Sequence, residues 1–150
     1  MTPKLLILLF FLGSFFLQAQ NLVWKTNMND AIKMCDDERK PLLIFFTASG
    51  TSQKIQNEIF ATSDFIDWSS ENIILLKLDL SDPSISSEEK EQNVKLKEAL
   101  GVDELPQVCL ATASIRRNKP TINKLGLLEY KMGGVKKWIS EAKTMLRGEE

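Results

Sequence analysis

Apolar residues follow two patterns along this chain, and the way the patterns alternate predicts its architecture. Leu42-Leu43-Ile44-Phe45-Phe46 and Ile73-Ile74-Leu75-Leu76-Lys77-Leu78-Asp79 are nearly continuous apolar runs, each the length of a strand buried on both faces. Elsewhere the apolar positions recur with helical spacing. Over Asn27 to Lys40, Met28, Ala31, Ile32 and Cys35 share one face while Asn29, Lys33, Asp36 and Asp37 lie elsewhere, and Pro41 ends the helix. Ala48-Ser49-Gly50-Thr51-Ser52 is a small polar turn in which Ser49, Thr51 or Ser52 can cap a helix running through Ile55 and Ile59 to about Phe60. Ser63 offers a second cap, to a short helix carrying Phe65 and Trp68. Two buried strands with helix between them predict a parallel crossover.

The second half changes rhythm. Ser87 precedes a charged helix over Glu88 to Leu100, with Val94, Leu96 and Leu100 as its few apolar contacts and Gly101 as its stop. A strand introduced by proline follows over Leu105 to Ala111. Arg116 to Pro120 reads as a turn, and Thr121 to Tyr130 as the returning strand of a hairpin. Gly133-Gly134 then opens a helix over Val135 to Leu146, whose apolar face is Val135, Trp138, Ile139, Ala142, Met145 and Leu146. No internal repeat, long linker or low-complexity stretch interrupts this order, so one domain is expected over residues 20–150.

The beginning of the chain is different in kind. Lys4 gives a positive start, Leu5 to Leu17 is apolar apart from Gly13 and Ser14, and Ala19 supplies a small residue before Gln20. That is the pattern of a cleaved signal peptide over residues 1–19, and the run is short for a membrane span. The expected destination is export, periplasmic or extracellular, with no stable membrane span after cleavage. No cysteine follows the run to carry a lipid.

Composition narrows the chemistry further. With 43% hydrophobic and 26% charged residues the chain can bury an ordinary globular core, and 19 basic against 20 acidic residues leave no overall field to attract nucleic acid. The chain has no histidine and two separated cysteines, which disfavours a metal site; Glu88, Glu89 and Glu91 read as a solvated helix face, and Asp79 as a strand-end acid facing water.

Several local sequences resemble one known family. They are Trp24 with Glu38-Arg39-Lys40-Pro41 ahead of Leu42 to Thr47; Glu58-Ile59-Phe60 followed by Ser63-Asp64-Phe65; Gly101-Val102 leading to Leu105-Pro106-Gln107-Val108; and Gly133-Gly134. In this order they resemble exported thioredoxin-like proteins of the thioredoxin family, over nearly all of residues 22–147. The resemblance implies an α/β, thioredoxin-like fold with a central mixed sheet of about four strands flanked by helices. It also implies a cis-proline at Pro106.

In that family the reactive element is C-x-x-C at the start of the helix after the first central strand, where helix-terminal amides lower the first thiol's pKa. Counted from Phe45-Phe46-Thr47 to Lys54, those positions fall on Gly50, Thr51, Ser52 and Gln53, or on Ser49 to Ser52 if the loop is longer. Neither register holds a thiol. A serine there is no nucleophile without a base, and there is no histidine to serve as one. The resemblance therefore implies a redox-inactive module without a cofactor. Leu105 and Pro106 would border a groove that takes extended or unfolded polypeptide by strand addition.

Three readings of Cys35 and Cys109 stay open: two unpaired core thiols, a structural disulfide suited to an oxidising compartment, or a displaced redox pair. The last would make the chain a thiol-disulfide oxidoreductase of unusual geometry. Trp68 and Trp138 fit their helix stripes as core residues, with interface anchors as the alternative.

Overall fold

The computed structural model describes residues 21–148. The expected signal peptide lies outside the described residues. Among those described, the organising element is strand β2 (Leu42–Thr47), in which all six side chains are buried. Because side chains alternate across a strand, such a run cannot satisfy itself against one layer. Leu43 and Phe45 enter one core, and Leu42, Ile44 and Phe46 enter another on the opposite face.

The other elements complete those two layers. Strand β1 (Trp24–Lys25) precedes helix α1 (Met28–Glu38), which lays Ala31, Ile32 and Cys35 on the Ile44 face. Asn27 caps α1 by accepting from the amides of Asn29 and Asp30, and Arg39 leaves it in a left-handed conformation. On the Phe45 face, a short α2 (Gln53–Ile55) passes into a π-helical turn (Gln56–Phe60) and then into α3 (Ser63–Asn72). Strand β3 (Ile74–Asp79) returns parallel to β2, with Phe45 opposite Lys77. Helix α4 (Ser87–Ala99) leads to the hairpin of β4 (Gln107–Arg116) and β5 (Lys119–Leu128), and α5 (Gly134–Arg147) closes the Phe45 face with Trp138, Ile139 and Ala142.

The sheet order is β1-β3-β2-β4-β5, with β1, β3 and β2 parallel and the hairpin antiparallel. Five strands stand where about four are expected. The additional one, β1, is two residues long and carries no readable alternation; it exists because it pairs with Leu75 and Leu76 of β3. The outer edge is guarded. Strand β5 is exposed at half of its positions but carries Lys119, Pro120 and Lys124, and its register slips opposite Leu110 and Ala111, features that discourage pairing with another chain. Gly126 on that strand lets α5 approach: a Cβ there would sit 2.6 Å from the sulfur of Met145.

Some local expectations shift by a residue for identifiable reasons. The cap of α3 is Thr62 rather than Ser63, its hydroxyl accepting from the Phe65 amide at 3.3 Å. The cap of α4 is Ser86 rather than Ser87. Each pair offers two adjacent hydroxyl residues, and packing selects one. On α4 it is Asn93 that is buried, not Val94, because Asn93 lies three and seven residues before Leu96 and Leu100 and so shares their face. Trp68 and Trp138 are core residues.

Phe60 is the hub of the aromatic layer, with ring centroids 5.0 Å from Trp24, 4.9 Å from Phe45 and Phe65, and 6.1 Å from Trp138. Phe60→Ala is expected to cost about 3–5 kcal/mol in urea unfolding. Met132→Ala, at a residue 88% exposed, should stay within about 0.5 kcal/mol. The hairpin loop gives an opposite expectation. Arg117 and Asn118 have φ of 52° and 62°, the pattern of a type I′ turn that favours Asn-Gly. Replacing the pair by Asn-Gly should raise the urea midpoint, by about 1 kcal/mol of stability, since an arginine in the left-handed region costs roughly that much.

Candidate functional site

The site is assembled where β2 runs out. After Thr47 the chain must turn from the sheet to a helix on the Phe45 face within a few residues, and Ala48 to Ser52 does so with small hydroxyl residues and one glycine. Gly50 takes φ +78°, with open space where a Cβ would be, so its role is to make the turn rather than to admit a neighbour. Thr51 closes the turn. Its hydroxyl donates to the Ala48 carbonyl at 2.8 Å and accepts from the Ala48 amide at 3.3 Å, with the Thr47 hydroxyl 3.4 Å away.

The Ser52 side chain and the Ser49 backbone are bonded as well. Ser52 precedes the first residue of α2 but makes no side-chain cap bond; its hydroxyl instead accepts from the Gln56 carboxamide at 2.9 Å and is buried. The Ser49 amide donates to the Ser81 hydroxyl at 2.7 Å, and that hydroxyl donates to Asp79 Oδ1 at 2.6 Å, which also accepts from the Ser81 amide. Asp79, half-buried, thus anchors the turn to the end of β3. A shallow cavity of about 180 Å3 lies over Ser49, Gly50, Ser52 and Gln53, with Asp79 and Lys77 on its β3 side.

Leu105 and Pro106 come to the same end of the sheet. The antiparallel register pairs Phe46 with Gln107, which sets Pro106 across from Thr47. The Leu105–Pro106 peptide is cis. Both residues are half-buried, and Leu105 packs on the core of the Ile44 face. A third segment, not anticipated from the sequence, joins them. Lys54 of α2 places its ammonium 5.4 Å from the centre of the Tyr130 ring, a cation–π distance. This brings Tyr130, in the loop after β5, beside α2; two residues on, Met132 is exposed. The available signal was an apolar Met132 next to Gly133-Gly134, where a loop has no core to face.

The thiols lie apart from this surface. Cys35 on α1 and Cys109 on β4 are free thiols, both buried in the core of the Ile44 face. Burial pushes the Cys35 thiol up to about 12, helped by the carboxylate of Glu38 and opposed by a backbone hydrogen bond. Burial likewise pushes Cys109 up to about 11, opposed by the charge of Lys124. Neither forms a thiolate at neutral pH, the condition for attack on a disulfide. Among the described residues, no group of three His, Cys, Asp or Glu side chains could hold a metal ion, and no helix is long and apolar enough to cross a membrane.

No protein-family model and no curated protein matches the sequence. Solved structures do match. One described as "DsbH Oxidoreductase" superposes with a TM-score of 0.70 at 22% identity, over 85% of this chain and 85% of that one. A thioredoxin from Thermus thermophilus superposes with a TM-score of 0.60 at 8% identity, over 83% of this chain and 87% of that one. At such identities the likeness speaks for architecture alone, and it agrees with the sheet order and the helices on both faces: the chain has a thioredoxin-like α/β fold.

Proposed function

We propose that this chain is an exported module of thioredoxin-like fold that binds extended or unfolded polypeptide and performs no dithiol exchange. The observation that carries the reading is the turn at Gly50 to Gln53. At the four positions where the family resemblance puts C-x-x-C stand a glycine, two hydroxyl residues and a glutamine, and the hydroxyls of Thr51 and Ser52 are tied into hydrogen bonds within the chain. No histidine is present to activate them, and the Asp79 Oδ1 acceptor is engaged by Ser81. The reading is supported by a shallow recess over Ser49, Gly50, Ser52 and Gln53, with Leu105 and Pro106 at the same end of the sheet, an arrangement that suits an extended chain adding backbone hydrogen bonds. Export, to the periplasm or the outside, is supported by the character of residues 1–19.

Binding is testable by fluorescence anisotropy with a labelled, reduced and carboxymethylated polypeptide, using the chain without its first 19 residues. Binding in the micromolar range is expected, weakened several-fold by Leu105→Glu. Absence of binding at high micromolar concentration would sink the proposal.

The competing reading is a thiol-disulfide oxidoreductase working through Cys35 or Cys109. It is favoured by the description of one similar structure as an oxidoreductase and by the location of both thiols in one core. The raised pKa values oppose it and make a prediction of their own. The folded state keeps these protons above pH 9 while the unfolded chain releases them, so unfolding is favoured increasingly as pH rises from about 9 towards 11 and 12. The unfolding midpoint should therefore fall across that window, and fall less steeply in the Cys35→Ala/Cys109→Ala double variant. Below pH 8, native thiols should react with a disulfide reagent only after denaturation. Fast native reaction together with turnover in a disulfide-reduction assay would instead establish the enzyme.

A further inference from the structure

On the β1 side of α2 lies a cavity that the peptide-binding reading does not use. It measures about 390 Å3, within the range of small-ligand sites, about 300–1,000 Å3. Its existence follows from the topology. The ladder between β1 and β3 ends at Lys25 opposite Leu76, and the chain then leaves for α1, so beyond Leu76 no strand stands on the outer edge of β3, the edge away from β2. Three rings wall the gap: Trp24 from β1, Phe45 from β2 and Phe60 from the π turn. The Trp24 ring lies 5.0 Å from Phe60 and 6.0 Å from Phe45 and is only half-buried, so it keeps ring surface for something else.

Few polar groups reach this cavity. Gln56 and Asn57 contribute carboxamides, and Lys77 is the sole charged residue in its lining. Opposite Phe45 in the ladder, Lys77 lies on the same sheet face as that ring, while Leu76 and Leu78 enter the other core. It is half-buried and makes no ion pair or side-chain hydrogen bond with any described residue. The acid nearest along its strand, Asp79, is engaged with Ser81. An inward lysine near a sheet edge can serve to block pairing with another strand. That accounts for the charge, but not for three aromatic rings gathered around open space beside it.

We propose that this cavity binds a small planar ligand carrying one carboxylate, an aromatic acid whose ring lies against Trp24 and Phe60 and whose carboxylate meets the Lys77 ammonium. One ammonium with two carboxamides matches a single negative charge. A doubly charged phosphate would be left short of cationic donors, and a neutral ring would leave Lys77 unpaired.

The test is a titration followed by NMR, on the chain without its first 19 residues, with indole-3-acetate and its neutral counterpart indole-3-acetamide. The acid should bind at least about tenfold more tightly than the amide, the difference one charge-assisted contact makes. The largest shifts should fall on the Trp24 indole N–H, the side-chain amides of Gln56 and Asn57, and the backbone of Lys77. Lys77→Met should remove the preference for the acid while leaving amide affinity unchanged. Ala61→Trp, at an exposed residue of the same lining, should exclude both compounds by filling the mouth, and it keeps the test decisive if the lysine variant does not fold. Equal affinity for acid and amide, shifts centred on Gly50 or Leu105, or no binding of the acid at millimolar concentration would each overturn the proposal.

Discussion

A strand with no exposed side chain sets the terms for this protein. β2 places Leu43 and Phe45 on one side and Leu42, Ile44 and Phe46 on the other, and fully burying a side chain of that size is worth about 1.5–3 kcal/mol. The gain is available only if both faces of the sheet are covered and if both backbone edges of β2 are paired. β3 and β4 meet the second requirement, from opposite directions. The first requires helices on both sides, and the order of the chain supplies them: α1 to the Ile44 face, the α2-to-α3 segment and α5 to the Phe45 face. Sheet order, layer order and the two separate cores follow from this one strand.

The same constraint fixes where a site can form. A central strand must end, and the chain leaving it must turn out of the sheet in a few residues, exposing backbone amides at the start of the next helix. At this place a thiol would gain acidity from its surroundings. Here the turn is held by the Thr51 hydroxyl on Ala48 and by the chain of bonds from Ser49 through Ser81 to Asp79. These bonds hold the turn's geometry and use the Thr51 and Ser81 hydroxyls as donors. The cysteines the chain does possess sit in the core of the opposite sheet face, where desolvation opposes ionisation.

How much of this was legible depended on whether neighbours in sequence or neighbours in space decide a feature. Strands β2 and β3, the stripe of α1 and the face of α5 were readable because periodicity is a local property and these segments are strongly apolar. The choice of Thr62 over Ser63, or Ser86 over Ser87, was not, since both members of each pair can cap and only the docked helix selects one. β1 was invisible because two residues carry no pattern and its pairing partner is some fifty residues distant along the chain. At the turn after β2, the lack of cysteine in Gly50 to Gln53 could be read directly, whereas the approach of Tyr130 to Lys54 of α2 depends on how β5 and α5 close over the sheet.

The π turn at Gln56–Phe60 shows how one local irregularity can serve several ends. Its bond from the Ala61 amide to the Gln56 carbonyl, 2.8 Å, spans five residues rather than four, which rotates the residues after it relative to their facing in a regular helix. Ile55 and Ile59 still reach the core, but Phe60 enters it as well, between Phe45, Phe65 and Trp138. Gln56 meanwhile, like Lys77 of β3, lines both the recess over Gly50 and the cavity beside Trp24. The aromatic hub and the placing of Gln56 thus come from the same short segment. The irregularity is therefore held by the energy of the core, while its consequences are felt at the surface on both sides of α2.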